Sequence, residues 1–173
     1  MPYASQLDTA AARAAIARGD NQELTRYLRE GGNNPVQNIT SATANLQFGT
    51  NLFNRGAGIA AVLPISTGSQ GVVMVIVQTL VAGSTTIRTA VAADEMSGGV
   101  IGMTISAGAG IMIAANQLGA ANTHTDTITM NGSTTGGGVG TVIEFADIAP
   151  GLWLVRGVLV TVGALTSPFT AAV

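Results

Sequence analysis

From Asn38 to the end of the chain, short β-branched and apolar runs recur between clusters of Gly, Asn and Ser, and no stretch there has helical periodicity. That pattern excludes a helical bundle and a βαβ architecture for most of the molecule. It predicts strands at Gly71–Val81, Thr85–Val91, Gly99–Ser106, Gly110–Ala115, Asp126–Met130, Thr141–Phe145, Leu152–Val155 and Val158–Val162. Thr127, Thr129 and Thr141 alternate with Ile128, Met130 and Val142, as in a half-buried strand. Val72–Val77 is continuously apolar, which predicts burial on both faces. Strands about 8–15 residues apart with no clean internal repeat indicate a sandwich or barrel. The expected fold is mainly β: a single antiparallel β-sandwich or barrel-like body, of jelly-roll or tulip-like order.

The charges divide the chain. Residues 1–30 hold Asp8, Arg13, Arg18, Asp20, Glu23, Arg26, Arg29 and Glu30, half of the sixteen charged side chains, and Gly31-Gly32-Asn33-Asn34-Pro35 follows. Ser5–Arg18 is alanine-rich and stops at Gly19; Asp20 and Glu23 have capping-box spacing before Leu24, Tyr27 and Leu28. The expectation is an N-terminal α-helical arm over residues 1–34 and a β body over 35–173. Neither helix has a broad apolar stripe, so the arm either caps its own body or docks on another subunit. Arg26, Tyr27 and Arg29 are the candidate partner-binding residues, because arginine forks and tyrosine are enriched at interface hot spots.

Only 9% of residues are charged, all seven cations are arginine, and the net charge is -2. Such a balance offers no electrostatic footprint for nucleic acid or an anionic membrane. No apolar run reaches the ~20 residues of a spanning helix, and the opening residues do not read as a secretory signal. The expectation is therefore a protein made in a cell's cytoplasm.

The chemistry-bearing residues are sparse. There is no cysteine and one histidine, His124, in a polar stretch beside Asp126. Neither a metal shell nor a nucleophile with a base can be assembled, and no G-x-S-x-G elbow occurs. Asp94-Glu95 is the one adjacent carboxylate pair and reads as a solvated turn. Gly56-Ala57-Gly58-Ile59-Ala60-Ala61 matches a weak dinucleotide pattern, but Pro64 breaks any helix that would follow. Gly132–Gly140 is glycine-rich without the lysine of a phosphate loop, and reads as a flexible hairpin loop. Trp153, the lone tryptophan, follows the Pro150-Gly151 turn as a core or intersubunit anchor. The expectation is no catalytic residue, no cofactor, no metal and no small-molecule substrate.

Ala61-Val62-Leu63-Pro64, the Val72–Val77 run, Thr125–Gly132, Gly140–Phe145 and Gly151–Val155 together resemble small β domains of tailed-bacteriophage virions. Those domains occur in capsid decoration (cement) proteins and head-fibre bases. The resemblance covers about residues 58–162 and excludes the N-terminal segment. It implies a homotrimer on an icosahedral shell, bound to the major capsid protein, located on the virion surface and without catalysis. The alternative is a head-fibre, spike or tail adhesin domain; a bacterial surface-layer or carbohydrate-binding module is a third reading, disfavoured by seven aromatics in the whole chain.

Overall fold

The computed structural model describes residues 36–69, 71–104, 111–116, 125–163 and 166–170. The chain divides into two units, Met1–Asn34 and Pro35–Val173. The described residues belong to the second unit and are mainly β, in two sheets.

The first six strands are short: β1 (Val36–Ile39), β2 (Thr43–Asn45), β3 (Gly49–Phe53), β4 (Ala60–Val62), β5 (Val72–Val77) and β6 (Thr85–Arg88). β1, β3 and β5 are parallel neighbours in one sheet; β2, β4 and β6 are parallel neighbours in the other. The chain thus alternates between sheets and stacks three coils of a flattened parallel solenoid. The corners stack as well. The Asn54 amide donates to the Ile39 carbonyl, Gln78 to Phe53, Leu46 to Val62 and Ala82 to Gly56. Inside the second coil, the buried Asn51 amide group donates to the Gln47 carbonyl and accepts the Gln47 N–H, which fixes the corner from β2 to β3.

After the third coil the chain sense becomes mixed. The remaining strands are β7 (Glu95–Thr104), β8 (Ile111–Asn116), β9 (Thr127–Met130), β10 (Val142–Ala149), β11 (Leu152–Thr161) and β12 (Phe169–Thr170). The seven-stranded sheet runs β1-β3-β5-β10-β11-β7-β8 and the five-stranded sheet β12-β9-β6-β4-β2. β10 is antiparallel to β5 and β11, β9 is antiparallel to β6, and β11 lies parallel to β7. The expected antiparallel body is therefore corrected: both sheets are mixed, and an antiparallel jelly-roll contains no parallel coil of this kind.

One hydrophobic cluster lies between the sheets. Phe53, Val73, Val75, Phe145, Trp153 and Val155 enter it from the seven-stranded sheet; Ala61, Ile87, Ile128 and Met130 enter from the five-stranded sheet. The period of two is visible in β5, where Val73, Val75 and Val77 are at most 1% exposed while Val72 is 37% exposed. The expected burial of Val72–Val77 on both faces is thus corrected, since one face of β5 meets the core and the other turns away from it. The helical arm expected over residues 1–34 lies outside the described residues.

Candidate functional site

The most elaborate polar arrangement among the described residues surrounds Asp147. This aspartate is fully buried on β10, where the pairing with β11 slips between Asp147 and Ala149. Ser66-Thr67-Gly68-Ser69, in the connection from β4 to β5, wraps its carboxylate. The amides of Thr67, Gly68 and Ser69 donate to it at 3.1, 2.9 and 2.9 Å. The hydroxyls of Ser66 and Ser69 lie 2.8 and 2.9 Å from its oxygens. Ser66 Oγ is also 2.8 Å from the Ala149 carbonyl and accepts the Leu152 amide. Gly68 has φ +74°, which lets three successive N–H groups converge on one anion. Burial alone pushes the carboxyl up. The Ser66 hydroxyl and the Ser69, Gly68 and Thr67 amides outweigh it and hold the group well below the ordinary aspartate range. A carboxylate so occupied has no free lone pair for general-base work. It clamps the β4–β5 connection to the β10–β11 corner.

The loop from Asn131 to Gly140 is built on the same principle. Asn131 Oδ1 accepts the amides of Ser133, Thr134 and Thr135 at 2.9, 2.7 and 3.1 Å. Those N–H groups are consumed inside the loop and none of the three is offered to a phosphate. The hairpin expected here is corrected too, because β9 and β10 lie in different sheets and the loop is the crossing between them. The Gly56–Ala61 stretch leads into β4 and no helix follows. A Cβ at Gly58 would sit 2.2 Å from the Ser84 carbonyl oxygen, so this glycine serves close stacking of two coils.

The outer faces of the two sheets differ. On the five-stranded sheet, Thr43, Ala60, Thr86 and Thr129 align across four strands, with Asn45, Val62 and Arg88 beside them. A shallow depression of about 330 Å³ there is lined by Thr43, Ala44, Asn45, Ala60, Val62 and Arg88. On the seven-stranded sheet, Leu52, Ile76, Val142, Val158 and Ile101 align across five strands from β3 to β7. Glu144 and Arg156 stand next to that row, with Arg156 donating to Glu144 Oε1 at 2.6 Å.

Trp153 is fully buried within this chain, its ring 6.2 Å from that of Phe48 and inclined by 29°, and its Nε1 has no hydrogen-bond partner. Arg26, Tyr27, Arg29 and His124 lie outside the described residues. Asp94 departs from the solvated turn expected of it: it is 6% exposed, at the entry to β7, and its Oδ2 has no partner. Asp126 is also buried and accepts the Thr127 hydroxyl at 2.8 Å. The described residues contain no group of three or more His, Cys, Asp or Glu side chains placed to hold a metal ion, and no helix among them is long and apolar enough to cross a membrane. Sequence reasoning missed Asp147. The signal available to it was the run Ser66–Ser69, whose small hydroxyl residues around a glycine suit an anion-wrapping turn. No known family model, curated protein or solved structure matches this chain.

Proposed function

We propose that the protein is a structural virion component, a capsid decoration (cement) protein of a tailed phage that self-associates as a homotrimer and stabilises the icosahedral head. The observation that carries this reading is the contrast between the two outer faces. One bears threonines, Asn45 and Arg88 and suits water; the other is a continuous apolar row suited to being covered by protein. The low charge of the body fits a surface consumed by subunit contacts. Its polar groups are spent on internal clamps such as Asp147 and Asn131. In this reading residues 1–34 form a helical arm that docks on the major capsid protein through Arg26, Tyr27 and Arg29.

The test mixes the purified full chain with undecorated shells built from the major capsid protein of the same phage. Saturable binding at threefold or quasi-threefold positions is expected, and absence of binding overturns the proposal. Deleting residues 1–32 should leave a folded trimer that binds shells poorly, and Arg26→Ala with Arg29→Ala should give a milder loss. A truncated protein that decorates shells at full occupancy removes the arm from the mechanism. A second reading, an attachment domain of a head fibre, spike or tail adhesin, draws on the depression at Arg88. It requires binding to host surface material that Arg88→Ala abolishes.

A further inference from the structure

The outer face of the seven-stranded sheet is more apolar than a solvated sheet face needs to be. Alternation along β5, β10 and β11 would permit Thr, Ser or Lys at every outward position. The chain instead places Leu52, Ile76, Val142, Val158 and Ile101 in one row, with Met103 one register step beyond Ile101. Ile101 and Met103 are 43% and 47% exposed. This face supplies nothing to the cluster between the sheets, whose members all come from the inward positions and the connecting loops.

We infer that this face is the self-association surface of the protein and that its occupant is a second copy of the same chain. Area is the first argument. Seven strands at ~4.8 Å, averaging about seven residues at ~3.3 Å per residue, make a face of roughly 780 Å². A standard stable interface takes ~800 Å² from each partner. Charge is the second. Beside the row, Glu144 and Arg156 neutralise each other within one copy, and Glu95, on the same face, stands at the far end of β7, six residues from Ile101. Around the threefold axis of the proposed homotrimer each face meets those of its two neighbours, where Arg156 of one copy is placed to donate to a carboxylate of the next. Arg156 has a side-chain exposure of 69% against 21% for Glu144, so the guanidinium is the group that reaches outward. The occupant competing for the same surface would be a strongly charged partner, and the row offers nothing to hold its charges.

The inference rests on the homo-oligomer in the proposed function and not on shell binding. It is tested on the full chain by sedimentation velocity at micromolar concentration, with circular dichroism as the check of folding. The wild type should sediment as an oligomer. Ile101→Arg and, independently, Val158→Arg should sediment as folded monomers, with a weakening of association of at least tenfold. Thr86→Arg, on the opposite sheet face, should remain oligomeric. A monomeric wild type overturns the inference and leaves the face to this chain's own N-terminal segment or to a different protein. An oligomer unchanged by both arginine variants overturns it as well. A wild-type oligomer that dissociates in both variants but binds no shell retains this surface and removes the decoration role.

Discussion

Asp147 shows how one buried charge can fix the geometry of two elements. Its carboxylate accepts three amides from a four-residue turn, and the hydroxyls of Ser66, Thr67 and Ser69 lie 2.8, 3.4 and 2.9 Å from it. Asp147→Asn would replace one acceptor oxygen by an NH₂ group that faces donors. The expected loss is about 2–4 kcal/mol in denaturant unfolding, the scale of stranding buried donors. The pH dependence follows from the direction of the shift. The folded group titrates below its ordinary value of 3.8. Its contribution is therefore complete above about pH 4 and is lost as pH falls from there toward the folded value. Wild-type stability should drop below about pH 4, and the drop should be shallower in Asp147→Asn. Trp153 is the second residue with large leverage. Trp153→Ala should cost about 3–5 kcal/mol, since a fully buried indole leaves a cavity. Trp153→Phe should cost distinctly less, because the phenyl ring fills most of the cavity while the unpartnered N–H is lost in both variants. Equal losses from the two variants, read by thermal melting, would contradict that account.

At the scale of elements, the longest strand pair is β7 with β11, parallel from Glu95 and Leu152 to Thr104 and Thr161. Within that ladder the β11 backbone comes close to β7 at Gly98. Gly98 lies opposite Val155 with φ +118°, and a Cβ there would sit 2.1 Å from the Val155 carbonyl oxygen. Gly98→Ala should cost about 2–3 kcal/mol, from backbone strain and overpacking together. Calorimetric melting would check it, with Gly140→Ala as comparison: its φ is also positive, at +91°, but its nearest neighbour, Val160 Cγ2, is 3.8 Å away. The later strands were legible as β-branched runs, and β11 unites two of them, Leu152–Val155 and Val158–Val162, because Arg156-Gly157 continues the ladder. The four strands from Val36 to Val62 were not legible. Gln37, Asn38, Asn45 and Asn51 dilute their β signal, and they are held by neighbouring coils more than by their own propensity.

For the whole molecule, association through the seven-stranded face couples folding to concentration. The melting temperature of the wild type should rise with protein concentration between one and one hundred micromolar, and that of Ile101→Arg should not. Differential scanning fluorimetry across that range reads the difference. The β class of residues 38–173 was determined by sequence alone, because alternation and turn chemistry are local and survive without knowledge of partners. The sheet order was decided by tertiary structure. Val36 pairs with Thr50 while Gly49 pairs with Val73, so successive coils differ greatly in length and no fixed period marks them in the sequence. The role of Asp147 was decided there too. Its donors lie nearly eighty residues away, and they converge on it only because the β4–β5 connection is brought against the β10–β11 corner, where a buried carboxylate without those donors would be too costly to keep ionised.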